Sequence, residues 1–308
     1  MTASRTRPLK IGLLLPDTER QMDGRSPRWT DVAAMARLAE DVGFDSLWVT
    51  DHLLHREEGQ EPQGPWEGWS LLAAVAAVTQ RAEIGPLVIC TGFRNPALLA
   101  KMADTVDEIS NGRLILGLGA GWNQPEYRAF GYAFDHRVDR FAEALTIITG
   151  LLRHGRVDFE GTYYQARDCE LRPRGPRPQG PPILIGTTGP RMLTLTARHA
   201  DLWNVWFSET GNLVDNLLPL RAAVDAACVA AGRDPATLAR TAAVLVEVGP
   251  HTPSTMTGPP LTGTPAEIAA GLLAYADAGI SHVQLWLEPA TLRGIEAFAP
   301  VLELLDRG

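Results

Sequence analysis

An acidic residue and an imidazole stand side by side at Asp51 and His52, directly after the apolar run of residues 46–50. A histidine can donate or accept a proton near neutral pH, and a neighbouring carboxylate can fix its tautomer or bind the polar edge of a cofactor. We therefore predict that His52 is a catalytic acid or base. In a purely structural alternative, Asp51 caps the following segment and His52 only packs.

A second candidate site is the turn between the apolar run that begins at residue 182 and the helical pattern that follows this run. The turn has small or hydroxyl-bearing residues followed by an arginine: Thr187, Thr188, Gly189, Pro190, Arg191 and Met192. Free backbone N–H groups at a helix start, two hydroxyls and a guanidinium together suit a phosphate or a carboxylate. In the structural alternative, a threonine caps the helix and Arg191 points into solvent.

Glycines at alternate positions mark residues 112–123, where they occupy Gly117, Gly119 and Gly121. The spacing is not a dinucleotide-binding fingerprint, because Trp122 stands where the last small residue belongs and the run follows a fourth strand. The glycines instead predict open space, with Trp122 and Asn123 facing a ligand. Residues 85–96 carry a weaker signal, since glycine and small side chains let a buried strand approach a flat ring.

Other catalytic chemistries lack the residues that they need. His52 and His55 form a His-x-x-His pair, but no third ligand stands at a useful spacing, so we predict no metal site. A metal-dependent hydrolase would also need ligands after the first strand. A Schiff-base enzyme is disfavoured because the lysines are Lys10, before the first strand, and Lys101, inside a predicted helix.

Eight short apolar runs position these groups, and a stretch with helical spacing follows each. The runs cover residues 11–15, 46–50, 82–88, 114–119, 182–187, 201–206, 242–248 and 282–287. Helices are predicted at residues 32–42, 97–110, 141–152, 191–199, 213–231, 265–278 and 292–305. Such alternation over 308 residues predicts a closed parallel (β/α)8 barrel, or TIM barrel, whose chemistry lies at the carboxyl ends of its strands.

Two stretches interrupt the simple alternation. Residues 51–68 form a long loop after the second strand, on the face where a lid would lie. Residues 157–182 are predicted as an insertion between the fourth and fifth strands, with a hairpin at residues 157–164. Both stretches are candidate substrate walls. Trp66 and Trp206 lie near strand ends, where a tryptophan forms either pocket wall or core.

Composition narrows the class of protein. The formal net charge is −8, without a long run of Lys or Arg, which disfavours nucleic acid and anionic membranes as partners. Three scattered cysteines, Cys90, Cys169 and Cys228, fit a reducing compartment. We find no signal-type apolar stretch near the first residues, and residues 71–78 fall far short of a membrane span. We therefore expect one cytoplasmic domain over residues 1–308.

Four segments carry a resemblance to a known family: residues 44–52, 93–101, 112–127 and 185–204. In this order they resemble the luciferase-like monooxygenase superfamily, and the sequence is most similar to its branch that uses the deazaflavin coenzyme F420. The resemblance implies a (β/α)8 barrel of the bacterial-luciferase type with an insertion after strand four, in a homodimer. It also implies a bulge with a non-proline cis peptide in the third strand, by position at Leu87–Val88.

The resemblance further implies site residues. It places the coenzyme against Asp51, Leu87, Val88, Cys90, Asn123 and the turn formed by Thr187, Thr188, Gly189, Pro190, Arg191 and Met192. His52 matches the catalytic acid or base of sugar-phosphate dehydrogenases in this branch. Those enzymes carry a proton-donating glutamate where this chain has Ala120. The implied substrate is therefore a small, more apolar molecule, contacted by Trp122, Trp66 and Trp206, that exchanges a hydride with the coenzyme.

One alternative within the same family stays open at this point. A two-component monooxygenase would bind FMN, reduced by a separate flavin reductase, and react with oxygen. A flavin-binding relative without catalytic activity is a further alternative, although His52 argues against it. The identity of the substrate and the direction of hydride transfer do not follow from the sequence.

Overall fold

The computed structural model describes residues 7–56, 59, 61–249 and 258–307. Eleven strands are present in these residues: β1 Lys10–Leu14, β2 Ser46–Val49, β3 Glu83–Pro86, β4 Ile89–Cys90, β5 Leu116–Gly119, β6 Arg156–Glu160, β7 Gln165–Glu170, β8 Ile183–Gly186, β9 Leu202–Val205, β10 Ala239–Glu247 and β11 His282–Glu288. The α-helices are α1 Trp29–Val42, α2 Gly68–Val78, α3 Pro96–Ile109, α4 Gln124–Phe130, α5 Arg137–His154, α6 Pro190–His199, α7 Phe207–Thr210, α8 Leu217–Ala230, α9 Pro265–Asp277 and α10 Leu292–Arg307.

Nine of these strands form one parallel sheet in the order β3-β2-β1-β11-β10-β9-β8-β5-β4. The two edges of the sheet belong to the same stretch of chain, since β4 follows β3 after two residues. A parallel bridge between Ile84 and Leu114 joins β3 to the segment before β5, through Ile84 N–H to Arg113 O and Ile115 N–H to Ile84 O at 3.0 and 2.8 Å. The predicted barrel is therefore confirmed, with β3 and β4 as the two halves of its third strand.

The break in the third strand lies at Leu87–Val88, which is a non-proline cis peptide at the predicted position. The sequence predicted one continuous strand over residues 82–88, and this was wrong beyond Pro86, where the bulge interrupts pairing. The neighbouring strand accommodates the bulge with glycine: a Cβ on Gly117 would lie 2.0 Å from the carbonyl oxygen of Pro86. Glycine is therefore the residue that lets β5 approach the bulge.

Some helix ends follow the sequence signals, but α5 begins four residues before the predicted residue 141 and α8 begins four residues after the predicted residue 213. Asn95 caps α3 by accepting from the backbone N–H groups of Ala97 and Leu98 at 3.0 and 3.1 Å, and α1 ends at Gly43 with φ 113°. Three helices were not predicted: α2, α4 and α7. In α2 the apolar residues give no clear helical stripe, and α4 and α7 span only seven and four residues.

The insertion lies after β5, the fourth barrel strand, and its hairpin is longer than predicted. Strands β6 and β7 pair antiparallel from Arg156 to Glu170, whereas the sequence suggested residues 157–164. The carboxylate of Glu143 on α5 accepts the backbone N–H groups of Thr162, Tyr163 and Tyr164 at 2.8 to 3.0 Å. This cap holds the tip of the hairpin against α5, which the local sequence does not reveal.

The barrel interior contains large apolar side chains and a few neutral polar ones. Trp48 is fully buried there and donates from Nε1 to Ser46 Oγ at 2.7 Å. Its indole fits because Gly12 has no side chain: a Cβ on Gly12 would lie 2.6 Å from Trp48 Nε1. In the described part of the chain, the helices are too short or too polar to cross a bilayer.

Candidate active site

A buried ion pair lies directly after β2. Arg94 donates from both terminal nitrogens to the two oxygens of Asp51, each at 2.7 Å, and Cys90 N–H donates to Asp51 Oδ2 at 2.9 Å. Arg94 also pairs with Glu67, the residue that caps α2. Burial alone would lower the pKa of Arg94, but the two carboxylates raise it. The three groups thus connect the ends of β2 and β4 to the start of α2.

The second pair joins His52 to Glu126 of α4. His52 Nδ1 lies 3.0 Å from Glu126 Oε1, and the other carboxylate oxygen accepts Leu53 N–H at 2.9 Å and Leu54 N–H at 3.4 Å. Burial alone would raise the pKa of Glu126, but the His52 ring and these amides lower it. Glu126 is therefore ionised at neutral pH. Because a carboxylate only accepts, His52 must donate from Nδ1, which leaves Nε2 available for proton transfer.

Two aromatic rings border His52. The His55 ring centroid lies 4.6 Å from that of His52, and Trp122 meets His52 edge-on at 5.5 Å. His52 keeps 21% of its side chain exposed, and Trp122 is 69% exposed. The structure thus brings the predicted catalytic residue and one predicted substrate residue together. Asn123 is buried, and its amide nitrogen donates to Leu54 O at 2.9 Å, so it fastens the loop that carries His52.

The residues around the cis peptide form the floor of the barrel mouth. Leu87 is buried in the interior cluster, while Val88 packs against that cluster and keeps part of its surface exposed. A Cβ on Gly119 would lie 2.7 Å from Val88 Cγ2, and one on Gly186 would lie 3.4 Å from Val88 Cγ1. Glycine backbone on β5 and β8 therefore flanks Val88. The described contacts of Val88 are therefore with apolar side chains and with glycine backbone.

Cys90 ends β4, packs with Phe93 and Tyr127, and is not placed to act as a nucleophile. Its Sγ is 2.8 Å from Tyr127 Oη, and Tyr127 Oη donates to Ala120 O at 2.9 Å. Burial raises the pKa of Cys90 to about 12, and burial likewise raises the pKa of Tyr127. The thiol is therefore protonated, and it helps to hold β4 against the loop that follows β5.

The turn predicted to hold an anion lies between β8 and α6. Thr187 Oγ1 accepts Gly189 N–H at 3.2 Å, and Thr188 Oγ1 donates to Glu209 at 3.2 Å. Arg191 is exposed but pairs with Asp139 of α5, and this guanidinium lowers the pKa of Asp139. Pro190 begins α6 and Met192 is buried beneath it. An anion at this turn would have to share these donors with Glu209 and Asp139.

The other two predicted substrate residues lie in different surroundings. Trp66 is 57% exposed and donates from Nε1 to Pro27 O at 2.8 Å, on the loop before α1. Trp206 follows β9 and packs on Phe207 with ring centroids 4.6 Å apart and edge-on against Trp286 at 6.0 Å. Both follow barrel strands at their carboxyl ends. Their contact with a substrate stays a prediction, as do the coenzyme contacts.

Sequence reasoning missed three residues of this region: Arg94, Glu67 and Glu126. Each lies far from its partner in sequence, since 43 residues separate Asp51 from Arg94 and 74 separate His52 from Glu126. A usable signal existed for Arg94 and Glu126, because both fall inside segments that carry the family resemblance. In the described residues, no group of three or more His, Cys, Asp or Glu side chains is arranged to hold a metal ion.

Comparison with known proteins bears on the family. The model of the luciferase-like monooxygenase family matches residues 9–252, which is more than half of the chain. This chain belongs to that family. A solved F420-dependent secondary alcohol dehydrogenase, in complex with an F420-acetone adduct, shares the fold with a TM-score of 0.78 at 19% identity, over 96% of this chain and 99% of the other.

Curated members of the luciferase-like family are similar over part of the sequence. An F420-dependent glucose-6-phosphate dehydrogenase of Amycolatopsis mediterranei is 37% identical over 177 residues, which are 56% of this chain and 51% of that protein. The pyrimidine monooxygenase RutA of Cronobacter sakazakii is 34% identical over 173 residues, 54% of this chain and 50% of that protein. The chain thus spans about half the length of these curated relatives.

Proposed function

We propose that this protein is an oxidoreductase that uses coenzyme F420 to exchange a hydride with a small, rather apolar organic substrate. The observation that carries the proposal is the pair formed by His52 and the buried carboxylate of Glu126 beside the open barrel mouth. Oxidation of an alcohol removes a hydride from carbon and a proton from oxygen, so it needs a proton acceptor next to the hydride acceptor. His52 is a partly exposed base at that place.

The residues at the mouth fit a deazaflavin. Val88, Gly119 and Gly186 offer a flat apolar floor for its ring system. Thr188 and Arg191 offer a hydroxyl and a cation for its acidic phosphate and glutamate tail, in a protein whose net charge is −8. When bound, the deazaflavin supplies a ring carbon that accepts or releases a hydride.

The chain's own residues then handle the proton and the orientation. Glu126 fixes the tautomer of His52, so that Nε2 accepts the proton of a substrate hydroxyl or returns it in the reverse reaction. Asp51, held by Arg94, keeps β4 in register with the end of β2 through Cys90 N–H. Trp122 covers the edge of His52 and limits the access of water.

The nature of the substrate follows from what surrounds His52. Ala120 stands where the sugar-phosphate dehydrogenases of this branch carry a glutamate, and the neighbouring Trp122 presents an apolar face. Both features favour an apolar alcohol or carbonyl compound over a sugar phosphate.

A second candidate is an FMN-dependent monooxygenase that receives reduced flavin from a separate reductase. The specific observation in its favour is the similarity to a pyrimidine monooxygenase, which is as extensive as that to the F420-dependent dehydrogenase. The apolar floor around Val88 would accept either tricyclic ring, so the choice of coenzyme has to come from binding.

The decisive experiment is a titration of the purified protein with F420 and, separately, with FMN, followed by tryptophan fluorescence. We expect saturable binding of F420 that is at least about tenfold tighter than that of FMN, which corresponds to about 1.4 kcal/mol. A panel of secondary alcohols with F420 under anaerobic conditions then tests hydride transfer. Tighter binding of FMN, with product formed only from reduced FMN and oxygen, would replace the proposal with the second candidate. Failure to bind either coenzyme would contradict both.

A further inference from the structure

A cavity of about 470 Å³ lies at the amino end of the barrel, on the opposite side from His52. It opens between the last turns of α5 and α6 and the start of β6. Five of its lining residues are basic or imidazole side chains: Arg153, His154, Arg156, Arg198 and His199. No carboxylate lines it within the described part of the chain. We call this cavity the basic pocket.

Two Arg-His pairs and Arg156 form the basic pocket. The first pair, Arg153 and His154, lies at the end of α5. Gly155 ends α5 with φ 75°, in the left-handed region, and turns the chain so that Arg156 returns over the helix end that carries Arg153. Gly150 lets β6 lie close against α5, since a Cβ there would lie 3.0 Å from Val157 Cγ2. The second pair, at the end of α6, completes the opposite wall. Gly150 and Val157 provide an apolar floor.

The cations of the basic pocket differ in whether they already have a hydrogen-bond or ion-pair partner. Arg153 donates to Pro181 O at 3.1 Å and to Asp201 Oδ2 at 2.7 Å, so the fold already uses its charge. Arg156 and Arg198 are exposed and have no acidic partner among the described residues. Burial and the neighbouring Arg198 lower the pKa of His199, which therefore lines the wall as a neutral ring. The exposed guanidiniums of Arg156 and Arg198 are therefore available to a ligand.

We propose that the basic pocket binds a small anion with more than one negative charge, of the phosphate or polycarboxylate type. Guanidinium groups bind both kinds of oxyanion through paired, charge-assisted hydrogen bonds. The protein as a whole repels anions because its net charge is −8, so this cluster is a local exception. The site lies apart from the barrel mouth and does not depend on the coenzyme.

A purely structural role for the same cations makes a different prediction. Cations at the carboxyl ends of α5 and α6 interact favourably with the helix dipoles. If that were their whole role, replacing Arg156 and Arg198 would lower the melting temperature slightly, and no anion would bind to the native protein in a saturable way.

The test is calorimetric titration of the full chain with pyrophosphate and, separately, with citrate. We expect a dissociation constant below about 1 mM for at least one of them. The double variant Arg156→Glu/Arg198→Glu should weaken binding about tenfold or more, because it removes two charge-assisted contacts. The control Arg37→Glu/Arg293→Glu changes the net charge equally on exposed residues of α1 and α10 and should bind as the native protein does. Arg156→Gln/Arg198→Gln replaces the first variant if charge reversal impairs folding.

The outcomes separate the possibilities. Saturable binding that is lost only in the pocket variant supports the proposal, and the preferred anion tells whether phosphate or carboxylate groups are recognised. Equal weakening in both double variants would mean that only net charge matters, which overturns the proposal. Absence of saturable binding to either anion overturns it as well.

Discussion

His52 and His282 occupy opposite environments in the same barrel. His52 follows β2 at the mouth, is partly exposed and has the buried carboxylate of Glu126 as its partner. His282 begins β11 in the interior and is buried, and its Nε2 lies 2.7 Å from the neutral hydroxyl of Ser46. Burial lowers the pKa of His282 to about 3, with a further contribution from Lys10. The interior histidine is therefore neutral under all ordinary conditions.

The barrel interior and the barrel mouth differ in how each compensates for the burial of polar groups. The interior uses neutral hydrogen bonds, as in the network of Asn204, Thr241 and Gln284, in which Asn204 donates to both partners at 2.8 Å. The mouth uses full charges in pairs, such as Asp51 with Arg94. A neutral network fixes geometry, whereas a charged pair beside solvent can also move a proton or orient an ion. Four predictions test this contrast, from the largest expected effect to the smallest.

Replacing Arg94, the cation at the barrel mouth, should have the largest effect, a loss of stability. In Arg94→Leu the buried Asp51 carboxylate keeps Cys90 N–H as its one remaining donor among the described residues, so we expect the free energy of unfolding to fall by about 3 to 5 kcal/mol. Urea denaturation measures this. The double variant Asp51→Asn/Arg94→Leu should regain part of the loss, because no buried charge remains. Arg37→Leu, at an exposed position of α1, is the control, and a loss of less than about 1 kcal/mol for Arg94→Leu would contradict the interpretation.

Separate replacement of His52 and His282 tests which of the two histidines takes part in catalysis. We expect His52→Ala to reduce turnover about 100-fold or more, as is typical for the loss of a general acid or base, while coenzyme affinity stays nearly unchanged. His282→Gln should leave turnover unchanged, because the interior site does not reach the substrate. Steady-state kinetics with the best alcohol of the panel measures both. Equal turnover of His52→Ala and the native protein would remove His52 from the mechanism.

Replacing Glu126, the partner of His52, should lower turnover less than replacing His52 itself. In Glu126→Gln the amide can donate as well as accept, so it no longer enforces donation from His52 Nδ1. We expect kcat to fall about 10- to 100-fold, as for other carboxylates that orient a histidine, with little change in coenzyme affinity. Glu296→Gln, on an exposed position of α10, controls for the loss of charge. A change confined to thermal stability would show that Glu126 only holds the loop.

His282 should make the free energy of unfolding depend on pH. In the unfolded chain a histidine binds a proton near its usual pKa of 6.5, but the folded state holds the pKa of His282 at about 3. Between these values the unfolded state binds more protons, so stability falls as the pH falls below about 6.5. We expect a loss of about 2 kcal/mol between about pH 7 and pH 5 that is absent in His282→Gln. An identical pH dependence in both proteins would contradict this account, and His154→Gln is the exposed control.

Much of the fold could be predicted from the sequence because its signals are local. The second strand was predicted as residues 46–50 and occupies Ser46–Val49, and the last was predicted as residues 282–287 and occupies His282–Glu288. Strand β10 begins three residues earlier than predicted, at Ala239. Its first residues were not part of an apolar run, because Arg240 and Thr241 interrupt the pattern although both are buried.

The candidate site was predicted less completely. The position of His52 at a strand end followed from the alternation of strands and helices, and the cis peptide at Leu87–Val88 followed from the family resemblance. Cys90 and Asn123 were predicted as coenzyme contacts, and the structure shows their polar atoms bonded to Tyr127 and Leu54. Such bonds between distant segments have no local sequence signal, because they depend on how the loops at the barrel mouth meet.

The sequence by itself determined the number and order of the barrel strands and which side chains would follow their carboxyl ends. Local patterns suffice for this, since an apolar run and its turn residues act over a few positions. Only the tertiary structure decided that Arg94 neutralises Asp51 and that Glu126 orients His52. Those partners meet because barrel closure brings the loops after different strands to one rim, and a carboxylate buried there without its partner would be too costly to keep.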